Sequence, residues 1–214
     1  MPKKTNEREY RRINVQDLEV REEEDGKKIV EGYATTFNQP YELYDWGDYR
    51  VMEQVDSRAF DDADMKDTIM QYDHEGRVFA RIRNKTLEVT PDEHGLKIRA
   101  DLGGTEIGRQ LYEEIRGGYT DKMSFGFTVA KDERKVERDQ ENNKTTVYRT
   151  ITKIKKLYDV SAVSLPANDA TEISARSLGE GVIAEITEEI RAEEERQREI
   201  EIAKALIEIG GNVK

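Results

Sequence analysis

Between Lys122 and Thr128 the chain reads KMSFGFT, with Met123, Phe125 and Phe127 alternating against Lys122, Ser124, Gly126 and Thr128. Successive side chains of a β-strand point to opposite faces, so this run turns a bulky apolar face to a core and a small polar face the other way. The spacing predicts a half-buried strand. Ser124 then lies on the small face beside Gly126, where a second backbone can approach closely.

The segment ahead of this strand, GGTEIGRQLYEEIRGG, carries Ile107, Leu111 and Ile115 at helical spacing, with Thr105 placed to cap its start and Gly117 its end. From about Arg12 to Pro166 the remaining chain reads as short β segments broken by turns. IVEGYATTF (Ile29 to Phe37) and TIMQYD (Thr68 to Asp73) are strand candidates. TLEVT and LKIRADL form a hairpin around PDEHG, where Pro91 and Gly95 supply the turn. DERKVERDQENNK is polar and turn-like, and TTVYRTITKIKKLYDVSAVSLPA reads as one long strand, or two with a bend. After about Ser177 an LGEG link leads to a helix-forming acidic segment. Its apolar positions Val182, Ile186 and Ile190 are interrupted from Glu193 to Arg198, too little for a coiled coil, which predicts a solvated helical tail.

Charge and composition narrow the chemistry. With 46 acidic and 35 basic residues in 214, the net charge is −11, which disfavours broad capture of nucleic acid. No run approaches the ~18 apolar residues of a membrane-spanning helix, and the basic start MPKKTNEREYRR has no apolar stretch behind it, so neither a membrane span nor a signal peptide is expected. Cysteine is absent, which removes thiol catalysis, disulfides and thiolate metal sites. Two histidines without HExxH spacing make a zinc hydrolase improbable, and neither GxxxxGK[ST] nor a strand-borne GxGxxG occurs.

A serine hydroxyl becomes a useful nucleophile when a base takes its proton. For Ser124 the imidazole candidates are His74 and His94. His94 sits at a hairpin apex, where exposure and a turn role explain it. His74 follows a strand at a loop, the better position for facing a cleft. Lys122, on the same strand face as Ser124, is the rival base if burial removes its proton. Asp159, between Leu157, Val160 and Val163, is a carboxylate in an apolar strand and needs a partner if buried. Period 2 puts it on one face with Ser161 and Val163, which is equally compatible with a wet face.

Taken in order, EGYATTFNQPYEL, VDSRAF, QYDHEGRVFARI, the DEHGLKIRADL hairpin, the helix ending in GGYTDKMSFGF and LYDVSAVSLPANDA resemble the tailed-bacteriophage prohead protease family over about Ile29 to Ala170. The resemblance implies an α+β, mainly β fold: a small β-barrel flanked by helices, as in the herpesvirus maturation proteases. With the segment boundaries above, the expected organisation is a flexible basic N-terminal arm over residues 1–11, a protease domain over 12–176 and an acidic helical tail over 177–214. The resemblance also implies a serine endopeptidase with Ser124 as nucleophile and His74 as base. The third position is more often glutamate in the family, so Asp159 is a departure that shortens the carboxylate by one methylene. Implied substrates are the scaffold, the capsid precursor and the protease itself, cut inside assembling proheads in the host cytoplasm. A homo-oligomer is compatible with this, and no cofactor or metal is needed. The rival reading is a non-enzymatic assembly component with the same fold.

Overall fold

The computed structural model describes residues 8–13, 18–163, 181–188, 191–192 and 195–204. The β segments become β1 (Glu9–Ile13), β2 (Glu19–Glu22), β3 (Lys28–Thr36), β4 (Tyr41–Trp46), β5 (Tyr49–Val55), β6 (Ile69–Tyr72), β7 (Glu75–Arg81), β8 (Leu87–Pro91) and β9 (Gly95–Asp101). Then follow helix α1 (Glu106–Arg116) and two long strands, β10 (Lys122–Asp139) and β11 (Lys144–Val163). The Thr105 hydroxyl accepts the Gly108 N–H at 3.0 Å and caps α1, whose Leu111, Tyr112 and Ile115 are buried.

These strands make two sheets. The larger runs β1-β10-β11-β5-β4, with β6 and its partner β7 added to β11. Strand β11 is long enough to take two parallel neighbours, β5 along Thr145 to Ile151 and β6 along Asp159 to Ala162. The smaller sheet, β2-β3-β9-β8, is antiparallel. Residues of both sheets and of α1 share one core, including Val30, Ile98, Leu111, Phe125 and Phe127, joined by Phe60 from the turn between β5 and β6.

Several expectations are corrected. No ladder joins the two sheets among the described residues, so the mainly β fold is not a closed barrel; the larger sheet ends at β1, β4 and β7, and the smaller at β2 and β8. The strand at Met123 to Thr128 is buried on both faces, because β1 covers the edge of β10 and side chains fill the small face. The polar DERKVERD stretch continues β10, since β11 pairs with it as far as Asp139 and Lys144. Of the two readings of the following segment, one long strand or two with a bend, the structure has one, β11, with register shifts against β10 between Gly126 and Asp132. The boundary expected between residues 11 and 12 falls inside β1. At the other end, residues 181–188 are helical and Val182 and Ile186 pack on Val51 and Val147, so this part of the chain is not a solvated tail. Residues 1–7 and the boundary at 177 lie outside the described residues.

Strand β1 is held by a buried ionic cluster that the sequence reading did not find. Arg11 donates to Glu53 (3.0 Å from Nη2) and to Glu9 (2.5 Å), while Arg149 donates to Glu53 (2.6 Å), Glu9 (3.0 Å) and Asp132 (2.5 Å). Tyr41 adds a hydroxyl to Glu53 at 2.6 Å. Burial alone would push the Glu53 carboxyl up, but the charges of Arg11 and Arg149 and the hydrogen bonds from Arg11 and Tyr41 outweigh it and hold it at about 2.

Removing Glu53 leaves two buried arginines short of the carboxylate they share, with Glu9 and Asp132 as their remaining partners. Glu53→Ala is therefore expected to cost about 3–5 kcal/mol, read as a lower urea midpoint. Because the Glu53 carboxyl lies below its ordinary value of 4.5, its contribution is complete above pH 4.5 and is lost as pH falls through 4.5 towards 2. A thermal-midpoint titration should show a larger loss over this window in the wild type than in Glu53→Gln, whose other lowered carboxylates still titrate.

Candidate active site

Three neighbouring strands of the larger sheet bring the candidate residues together. On β11, Asp159 lies opposite Gly126 of β10, and Ser161 lies opposite Ser124, so all four share one face of the sheet. Asp159 is fully buried and Ser124 is 1% exposed. Gly126 has a specific use here: a Cβ at that position would lie 2.3 Å from Asp159 Oδ2. The space beside Ser124 that was expected to admit a second backbone is thus filled by the Asp159 carboxylate.

His74 arrives from the far side of β11. Strand β6 runs parallel to β11 and turns into β7 through Asp73 and His74, with Tyr72 paired to Glu75. Both turn residues have positive φ, 48° and 62°, the backbone that a two-residue hairpin turn requires. Asp and His tolerate this region better than most residues do. The Asp73 N–H donates to the Ala162 carbonyl at 3.0 Å, which pins the turn to β11.

From this turn the imidazole bridges two strands. His74 Nδ1 is 2.5 Å from Asp159 Oδ1, and His74 Nε2 is 2.5 Å from Ser124 Oγ. The shorter Asp159 side chain therefore reaches the ring. Ser161 donates its hydroxyl to Asp159 Oδ1 at 2.8 Å, which fixes the same oxygen that faces the imidazole.

The other candidates lie elsewhere. His94 is exposed at the β8–β9 turn, donates its N–H to the Asp92 carboxylate at 2.8 Å and packs on the Tyr33 ring. No hydrogen bond joins Lys122 to Ser124; the nitrogen at Ser124 Oγ is that of His74. Among the described residues no group of three or more His, Asp or Glu side chains could hold a metal ion.

Residues just before and within β1 complete the site, and the sequence reading missed them. Arg8 forms an ion pair with Asp159 Oδ2, and its guanidinium lies over the rings of Tyr10 and Tyr158. Tyr10 packs on His74 with ring centroids 4.5 Å apart. Ser124 Oγ lies 2.9 Å from the Arg11 carbonyl oxygen as a donor. No local pattern in REYRRI announces these contacts, because the partners are distant in sequence.

A hydroxyl, an imidazole and a buried carboxylate in series, on a mainly β frame, form the geometry of a serine–histidine–acid triad. The family model of the caudovirus prohead serine protease matches residues 16–182, and the chain belongs to that family. Among solved structures, the capsid assembly protease of bacteriophage T4 is similar with a TM-score of 0.45 and 14% identity, over 74% of this chain and 99% of that one. No curated protein sequence matches the chain.

Proposed function

We propose that the protein is a serine endopeptidase that cuts scaffold and capsid precursor polypeptides, and itself, within the assembling prohead. Ser124 is the nucleophile, His74 the general base and Asp159 the carboxylate that orients His74. The observation that supports this reading is the His74 ring, with one nitrogen 2.5 Å from Ser124 Oγ and the other 2.5 Å from Asp159 Oδ1.

With Nδ1–H donating to Asp159, Nε2 is the acceptor that faces Ser124 Oγ. It takes the Ser124 proton as Oγ attacks the scissile carbonyl carbon, and the buried carboxylate stabilises the imidazolium that forms. The C–N bond then breaks and the amine leaves with the proton from Nε2. Water, deprotonated by the same nitrogen, adds to the acyl-serine and releases the acid. No step calls for a metal or cofactor.

The test is co-expression with the phage's capsid precursor and scaffold, followed by intact-mass analysis beside Ser124→Ala. Discrete fragments are expected only with Ser124 present. Whole proteins in both samples, with proheads still formed, would favour the second reading, a non-enzymatic assembly component. The observation on that side is the 1% exposure of Ser124. A companion variant tests the packing of the site. In Gly126→Ala the new Cβ would displace the Asp159 carboxylate. Cleavage is expected to fall on the order of 10²-fold, as for other misplacements of about 1 Å. Cleavage at the wild-type rate would show that Asp159 does not need its present position.

A further inference from the structure

The triad is assembled but covered. Ser124 is 1% exposed and Asp159 fully buried, and the His74 side chain is only 11% exposed. A polypeptide cannot reach a nucleophile in that state, so an element must move before cleavage. One short segment touches all three residues: Arg8 pairs with Asp159, the Tyr10 ring packs at a tilt against His74, and the Arg11 carbonyl meets Ser124 Oγ.

The segment is also placed as a bound peptide would be. Strand β1 is the outermost strand of its sheet and runs antiparallel to β10, with Glu9 opposite Phe127 and Ile13 opposite Met123, so the pairing is centred near Ser124. Extended peptides add to exposed sheet edges in this way, through main-chain hydrogen bonds and alternate side-chain slots. The carbonyl nearest the nucleophile is that of Arg11, at 2.9 Å. The Ser124 proton has two acceptors, Arg11 O and His74 Nε2, and serves catalysis only when it lies on His74.

Strand β1 also defines two side-chain slots on the opposite face. Glu9 lies against Arg149, and Arg11 against Glu53, all four buried. If β1 leaves, Glu53 and Arg149 remain paired with each other at 2.6 Å, and each loses a partner from β1. An incoming strand that carries a carboxylate and, two residues on, a cation would satisfy both.

We propose that β1 occupies the place of the substrate on the edge of β10, and that the substrate is an extended polypeptide segment with an acidic–x–basic pattern ending at the scissile carbonyl. This rests on the assignment of Ser124 as nucleophile. The protein is latent while β1 is seated, and substrate binding exchanges one strand for another. Glu53 and Arg149 are then specificity-determining groups as well as anchors of the latent state.

The test uses the full chain carrying Glu9→Gln and Arg11→Gln, which removes both anchors of β1 and leaves the Glu53–Arg149 pair. Should that variant not fold, Arg8→Ala with Tyr10→Ala releases the strand from its other face. Two probes are read: the rate at which a fluorophosphonate labels Ser124, with fluoride displaced from phosphorus by Oγ, and the anisotropy of a fluorescein-labelled REYRRI peptide. The released variant is expected to label at least tenfold faster than wild type. It should bind the peptide where wild type does not, and bind a peptide with both slot residues changed to glutamine at least tenfold more weakly. Failure of the peptide to bind the released variant, or equal binding of the glutamine peptide, overturns the inference. If the peptide binds as expected and Ser124 still does not react, strand exchange stands and the assignment of Ser124 as nucleophile falls.

Discussion

Replacing Ser124 with alanine is expected to lower cleavage of the co-expressed capsid precursor on the order of 10⁶-fold, the scale of loss when a triad nucleophile is removed. Oγ lies 2.5 Å from His74 Nε2, and alanine removes the hydroxyl whose proton that nitrogen would accept. The structural cost is small by comparison. Ser124 Oγ gives up its contact with the Arg11 carbonyl, at 2.9 Å, and a lost hydrogen bond of this kind costs about 1 kcal/mol. The variant should therefore fold, assemble into proheads and leave the precursor at full mass. Loss of assembly together with loss of cleavage would point to a folding role for the serine.

Asp159→Asn is expected to cost about 10⁴-fold in rate with the fold retained. Asp159 accepts on both oxygens, from His74 and Ser161 on Oδ1 and from Arg8 on Oδ2. Asparagine has one carbonyl oxygen, which accepts, and one NH2 group, which donates. With its oxygen on Arg8, the only arrangement that does not set two donors against each other there, the NH2 group faces Nδ1. The imidazole must then carry its proton on Nε2, where it can no longer take one from Ser124. Measured beside Ser124→Ala, the asparagine variant should retain slow cleavage that rises above the alanine background. Wild-type cleavage by Asp159→Asn would show that the carboxylate is not needed to orient His74.

The elements that could be read locally are those whose periodicity is complete within a few residues. The alternation of Met123, Phe125 and Phe127 specified a strand, and the spacing of Ile107, Leu111 and Ile115, with Thr105 and Gly117 at its ends, specified α1. The scarcity of histidine made the choice of base short, and the strand-end position of His74 favoured it over His94. What misled was solvent exposure. The small face of β10 looked wet because its residues are Ser124, Gly126 and Thr128, yet it is buried by Asp159, Arg8 and Tyr10. The polar run after Ala130 looked like a turn because its strand partner lies in β11 rather than beside it.

Amino-acid order by itself determined the strand and helix periods, the short list of chemistries open to a chain with two histidines and no cysteine, and the identities of Ser124, His74 and Asp159 as candidates. Tertiary structure alone decided that these three meet, that Gly126 makes room for the carboxylate, and that β1 lies over Ser124. The reason is range. A period is enforced by the backbone between neighbours, whereas Arg8 finds Asp159 across 151 positions, and Ser124 finds the Arg11 carbonyl across 113. Such contacts carry no local pattern, and only the order of strands in the sheet creates them.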